Sequence, residues 1–175
     1  MYTDGSCLKN PGGPGGYGVV ISDKEKRTEL SGGYKSTTNN RMELLACIKG
    51  LETFEDKQAI VLYSDSLYVI NGIKKGWVRR WRANGWMRNK TGRAINADLW
   101  ERLLALSEYH VINFQWVKGH NNNKENERCD YIAQMAASGY DLLEDYGLAA
   151  GPGNRPPQSP TTILTQHSFI ASLQP

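Results

Sequence analysis

Apolar positions along the chain change period several times, and each change marks a new element. Tyr2–Ser6 and Tyr17–Ser22 are short, rich in aromatic or β-branched residues and bounded by turn formers, which predicts strands. The run N-P-G-G-P-G-G between them reads as a turn. Arg27–Tyr34 follows across the charged turn Asp23–Lys26 and predicts a third strand. From Asn40 the spacing becomes helical, with Leu44, Ile48 and Leu51 recurring at steps of four and three. Ala59–Asp65 is β-rich again, and Leu67–Lys75 is again helical. Gly76–Asn96 keeps neither period and reads as an irregular, Trp-rich, basic segment. Asp98–Leu106 predicts a helix with Leu99, Leu103 and Leu106 on one face, and Val111–Val117 predicts a strand. Glu125–Ser138 predicts a last helix, with Cys129, Ile132, Ala133 and Ala136 on its apolar side and Gly139 placed to end it.

The order β-β-β-α-β-α-basic segment-α-β-α predicts an α/β fold. The first three strands form an antiparallel meander, and the later ones join by right-handed crossovers with helices on both faces. Active sites in such sheets gather at strand carboxyl ends near a switch in strand order. Asp4 and Asp65 lie at the ends of two predicted strands. After Tyr146 the chain turns Gly/Pro/Ser/Thr-rich, so residues 1–146 are expected to form one domain and 147–175 a tail. Ile163, Leu164, Phe169, Ile170 and Leu173 give the end of that tail an apolar character suited to docking.

Composition narrows the class. Of 175 residues 39% are hydrophobic, and no apolar run approaches the ~20 needed to span a bilayer. M-Y-T-D-G-S lacks the basic and apolar regions of a signal peptide. Cys7, Cys47 and Cys129 form no C-x-x-C pair and suit reduced thiols in the cytoplasm. The net charge of +3 is unremarkable, but its distribution is uneven. No acidic residue falls between Ser66 and Ala97, while Lys74, Lys75, Arg79, Arg80, Arg82, Arg88, Lys90 and Arg93 all lie between Ser66 and Ala97. A basic surface beside an acidic one points to a polyanion held at a metal-dependent centre.

The acidic candidates are Asp4 in T-D-G-S-C, Glu43 in T-T-N-N-R-M-E-L, Asp65 in Y-S-D-S and Asp130 in E-N-E-R-C-D. Taken singly, Asp4-Gly5 suits a turn, Glu43 a capping box and Asp65 a helix cap. Asp130 lies beside an apolar stripe with Glu127 at i,i+3, an awkward place for an acid without a cation nearby. Gathered together, the four make a knot of negative charge whose hard oxygen ligands suit Mg²⁺ or Mn²⁺.

These contexts, in this order, together with N-P-G-G-P-G-G-Y-G, S-D-S-x-Y-V and W-V-K-G-H, resemble type 1 ribonuclease H from Tyr2 to about Tyr146. The resemblance implies a ribonuclease H-like fold, a five-stranded mixed sheet flanked by helices. It implies an endoribonuclease that cleaves the RNA strand of RNA/DNA hybrids with Mg²⁺, leaving 3′-hydroxyl and 5′-phosphate ends. Asp4, Glu43, Asp65 and Asp130 match the family's metal-binding carboxylates. Asp4 would bridge two metals, Glu43 and Asp65 hold the leaving-group side, and Asp130 the nucleophile side. His120 matches a mobile-loop histidine that moves a proton or aids product release, and Glu127 a nearby acid that acts with it. His110 and His167 match nothing and read as incidental. Asn10, Asn39 and Asn40 would contact the minor groove and 2′-hydroxyls. Thr38 and Asn96 match a DNA-phosphate pocket. Arg79, Arg80, Arg82 and Arg88 belong to a basic protrusion in which Trp81 and Trp86 lie along the DNA strand, whereas Trp77 and Trp100 read as core. Two positions depart from the family: Leu67 stands where Gln is frequent, and Ser36 where Arg often completes the phosphate pocket.

The expected protein is a monomeric cytoplasmic enzyme acting on RNA/DNA hybrid, with no membrane partner. A nuclease of the same fold with another substrate is disfavoured by the basic protrusion and the Asn set. A silent hybrid-binding module is disfavoured by four retained acids, which are costly to bury without a cation.

Overall fold

The structure, a computed structural model, describes residues 1–23, 26–119 and 123–149. Five strands form one sheet in the order β3-β2-β1-β4-β5. They are β1 (Tyr2–Cys7), β2 (Gly15–Ser22), β3 (Arg27–Tyr34), β4 (Ala59–Ser64) and β5 (Val111–Trp116). β1, β2 and β3 are antiparallel neighbours, while β4 runs parallel to both β1 and β5. The expected mixed sheet is therefore present, with its switch in strand order between β1 and β4.

The helices are α1 (Asn39–Leu51), α2 (Leu67–Lys74), α3 (Trp77–Ala83), α4 (Ala97–Tyr109), α5 (Lys124–Ala137) and the single turn α6 (Tyr146–Ala149). Two glycines show how the layers meet. A Cβ on Gly5 would lie 2.2 Å from the Glu43 backbone nitrogen, so α1 rests directly on β1. A Cβ on Gly18 would lie 2.1 Å from the Cys129 carbonyl oxygen, so α5 rests directly on β2. Gly18 pairs with Asp4, the neighbour of Gly5, and successive strand residues face opposite sides. The two helices thus cover opposite faces. The main core lies on the α1 side, where Met42, Leu44, Ile48, Leu51, Leu62, Leu103 and Trp100 are fully buried.

The segment read as irregular contains α3, which starts after Gly76 in the left-handed region (φ 66°). Asp4 also differs from expectation: it is the third residue of a six-residue strand, since pairing with β2 continues to Cys7. His110, which matches no site motif, has a structural place. It is buried, its Nδ1 accepts from the Gln58 amide at 3.2 Å, and Phe54 and Tyr109 meet its ring edge-on. Trp100 is core as expected; Trp77 is half-buried beneath the Lys75 ammonium.

The chain beyond α5 is tied back into the fold. Leu143 bridges Tyr34 at the free edge of β3. Asp145 accepts from Arg41 Nε at 2.7 Å, Arg41 Nη2 at 2.8 Å and Thr37 Oγ1 at 2.6 Å. Asp98 takes the remaining edge of the same guanidinium at 2.7 and 3.0 Å. Gly147 packs so closely on this group that a Cβ would fall 2.1 Å from Asp98 Oδ2. Gly147 thus packs against the Arg41–Asp98 pair. The rest of the expected tail, from residue 150, lies outside the described residues, as does its apolar end. Among the described residues no helix is long and apolar enough to cross a membrane.

Candidate active site

The parallel register of β1 and β4 pairs Thr3 with Ser64, so the next residues along, Asp4 and Asp65, come side by side where β4 ends. Glu43 joins them because the close approach of α1 at Gly5 brings the second turn of that helix over the same strand end. The three carboxylates each offer an oxygen within 4.8 Å of the others. Asp4 and Glu43 are buried and Asp65 is half-buried.

Such a cluster resists ionisation. Burial, then the charges of Asp65 and Asp130, push the Asp4 carboxyl up to about 8, against the opposing pull of the Gly5 N–H, which donates to Asp4 Oδ1 at 2.7 Å. Burial, with Asp4 and Asp65, holds Glu43 well above the usual carboxylate range. Asn39 Nδ2 donates to Glu43 Oε1 at 3.4 Å, but Glu43 Oε2 is buried without a hydrogen-bond partner among the described residues. Buried acids with an orphaned oxygen and all-oxygen donors fit a hard divalent cation, which would supply both the missing partner and the missing positive charge.

A pH dependence follows in the metal-free protein. Between the ordinary carboxylate range and about pH 8 the folded chain keeps a proton on Asp4 that the unfolded chain has lost. Stability should therefore fall as pH rises through that window, by up to about 1.4 kcal/mol per pH unit for each such group. Thermal melts in chelator from pH 5 to 8 should show this slope. Asp4→Asn should flatten it and raise the melting temperature at pH 8. A wild-type slope in that variant would remove Asp4 as its source.

Asp130 lies on α5 close enough to raise Asp4, yet it stands apart from the three-carboxylate cluster. Its Oδ1 accepts from Gln134 Nε2 at 2.6 Å, one turn along the helix. Glu127 is exposed in the first turn of α5. His120 lies outside the described residues. Asn126, which sequence reasoning passed over, touches the cluster: it is buried and its Nδ2 donates to Asp65 Oδ2 at 3.1 Å. It sits in the quoted E-N-E-R-C-D motif, where the acids drew the attention.

The expected substrate set is only partly free. Asn10 Oδ1 accepts from the Asn39 backbone at 3.1 Å, which joins the glycine loop to the start of α1. Asn40 is exposed, and Thr38 caps α1 by accepting from the Arg41 amide at 3.3 Å. Asn96 is committed inside the fold: Arg41 Nη1 donates to its Oδ1 at 3.3 Å, and its Nδ2 donates to the Tyr68 hydroxyl at 3.3 Å. Ser36 donates to the Gly12 carbonyl at 2.9 Å, and Leu67 is exposed. Arg79, Arg80 and Arg88 are exposed, with Arg80 Nη1 donating to the Lys75 carbonyl at 3.1 Å. Arg82 departs from expectation. It pairs with Glu108 and lies 3.9 Å from Glu101, so it fastens α3 to α4. Trp81 and Trp86 are half-buried against the core, and Trp86 Nε1 donates to Glu101 Oε2 at 3.0 Å. Only their outer surfaces remain for contact.

Comparison with known proteins agrees with this architecture. The family model for RNase H matches residues 1–138. A ribonuclease H of Syntrophus aciditrophicus is 60% identical over 147 residues, covering 84% of this chain and 84% of that protein. Among solved structures, LC9-RNase H1, a type 1 RNase H with the type 2 active-site motif, is 29% identical with a TM-score of 0.70, covering 86% of this chain and 79% of its own. LC11-RNase H1, solved in complex with RNA/DNA hybrid, shares the fold at 24% identity and a TM-score of 0.59, covering 78% and 94% of the two chains. With the carboxylate cluster at the β1–β4 switch and these matches along most of its length, the chain belongs to the ribonuclease H family.

Proposed function

We propose that the protein is an endoribonuclease that hydrolyses the RNA strand of RNA/DNA hybrids, leaving 3′-hydroxyl and 5′-phosphate ends. The observation that carries this reading is the cluster of Asp4, Glu43 and Asp65 within 4.8 Å, with a buried oxygen lacking a partner. Asp4 would be shared between two Mg²⁺ ions, with Glu43 and Asp65 on the leaving-group side and Asp130, released from Gln134, on the nucleophile side. Bound there, such ions would supply an activated water and positive charge at both the entering and the leaving oxygen. Mn²⁺ meets the same oxygen-ligand requirement.

The chain's own residues bind and orient the hybrid. Asn40 and the side-chain amide of Asn39 lie beside Glu43 at the start of α1, a position suited to reading 2′-hydroxyls. Asn10 and Thr38 shape that edge through the Asn39 and Arg41 amides. Asn96 is better suited to holding Arg41 than to gripping phosphate directly. Arg79, Arg80 and Arg88 track the DNA backbone, with the exposed edges of Trp81 and Trp86 against deoxyribose. His120 moves a proton or speeds product release, assisted by Glu127. The enzyme works as a cytoplasmic monomer, and residues 1–149 are its catalytic unit.

Substrate preference tests the reading directly. Hybrid, duplex DNA, duplex RNA and single-stranded RNA, each labelled and incubated with and without Mg²⁺, should show cleavage of the hybrid's RNA strand alone, and only with metal. Equal cutting of duplex RNA, or cutting in chelator, would contradict it.

The basic segment gives a separate expectation. Changing Arg79, Arg80 and Arg88 together to Gln should raise KM much more than it lowers kcat. Each lost phosphate contact should flatten the slope of log affinity against log salt by about 0.7–0.9. Wild-type affinity with an unchanged slope would remove the segment from the binding surface.

A further inference from the structure

We propose that Asn126 is a positioning residue for the metal centre, holding Asp65 through one amide atom and a metal-bound water through the other. The inference rests on the two-metal reading above and concerns a residue that reading does not use.

Asn126 is 2% exposed and lies in the first turn of α5. Its backbone is fixed by the helix cap, since its N–H donates to Asn123 Oδ1 at 3.2 Å. A carboxylate only accepts hydrogen bonds, so the amide must turn its NH₂ toward Asp65, as the 3.1 Å contact from Nδ2 to Oδ2 has it. The opposite flip would set oxygen against oxygen. Asp65 Oδ2 is enclosed from another side by Gly119, where a Cβ would lie 2.5 Å away. Amide and glycine together confine Oδ2 and leave Oδ1 as the freer ligand oxygen. Trp116 Nε1 donates to the Asp65 carbonyl at 3.1 Å and fixes the backbone beneath.

The same orientation decides the other amide atom. Asn126 Oδ1 is buried and has no hydrogen-bond partner among the described residues. A buried acceptor left bare is destabilising, and a leucine of similar shape would avoid it. The two amide heteroatoms share one carbon, so Oδ1 stays within a bridging water's reach of Asp65. A water bound to a cation gives one lone pair to the metal and acts chiefly as a hydrogen-bond donor. An acceptor with no donor, beside a carboxylate that would hold the cation, is complementary to such a water. Partners of this kind orient the ligating group and raise metal affinity.

The test is calorimetric titration of Mn²⁺ into the protein without nucleic acid, for wild type, Asp65→Asn, Asn126→Leu, Asn126→Ser and the double variant Asp65→Asn/Asn126→Leu. Either Asn126 variant, once shown to be folded by circular dichroism, should bind Mn²⁺ about 10- to 100-fold more weakly. The metal-free melting temperature of Asn126→Leu should stay at or above that of wild type. The double variant should lose less than the two single losses combined, because part of the Asn126 effect passes through the Asp65 carboxylate. Wild-type affinity in a folded Asn126 variant, or fully additive losses, would overturn the proposal while leaving the two-metal reading standing. Failure of the wild type to bind Mn²⁺, or wild-type binding by Asp65→Asn, would overturn both.

Discussion

Asp65→Asn is expected to lower hybrid cleavage by about a thousandfold or more, the scale on which a preorganised charge at the reacting centre acts. The substitution keeps the shape of the side chain and removes one of three carboxylates clustered within 4.8 Å. Asp65 follows β4 directly and its carbonyl is held by Trp116, so the backbone there does not depend on the charge. Hybrid affinity measured without metal should stay near wild type, and so should the circular dichroism spectrum. Near-normal turnover in this variant would remove Asp65 from the metal centre.

Asp145→Ala should have the largest effect on stability. Arg41 and Asp145 are both buried, with side chains only 3% and 4% exposed. Removing one partner leaves a desolvated guanidinium short of charge, which commonly costs 3–5 kcal/mol. Asp98 still holds one edge of Arg41, so a loss of about 3 kcal/mol is expected, or roughly 6–12 °C in melting temperature for a domain of this size. Ending the chain at Ser138 should do the same or worse, since it deletes Asp145 and the Leu143 bridge together. A melting temperature within 2 °C of wild type for Asp145→Ala, by the same scale, would show that Arg41 does not need it.

The two halves of the molecule were unequally legible. Strands and long helices could be read because each buries one regular face, and the periods of Leu44, Ile48, Leu51 and of Leu99, Leu103 record that burial directly. The acids were readable because each lies in a distinctive local context, although only Asp65 directly follows a strand. Asp4 was misplaced by the turn propensity of Asp-Gly, which lost to the β2 pairing and to the seat that Gly5 gives α1. Helix α3 was missed because five of its seven residues are Trp or Arg, which leaves no apolar period to stand out. Arg41 looked like any basic residue, because the acids that bury it come 57 and 104 positions later. Arg82 was read as part of the basic protrusion for the same reason: Glu101 and Glu108 reach it only through the packing of α3 on α4. Asn126 is a neutral side chain in an acidic motif, and nothing in its local pattern reveals the carboxylate it faces.

On the proposed reading the carboxylate cluster is a two-metal centre. Diffraction at the manganese absorption edge, from crystals of the wild-type protein with Mn²⁺ and the cleaved hybrid strands, tests it most directly. Two anomalous peaks ~4 Å apart are predicted, with Asp4 touching both, Glu43 and Asp65 beside one, and Asp130 turned from Gln134 toward the other. A single peak away from Asp4, or no peak at the cluster in crystals that contain bound nucleic acid, would contradict the account.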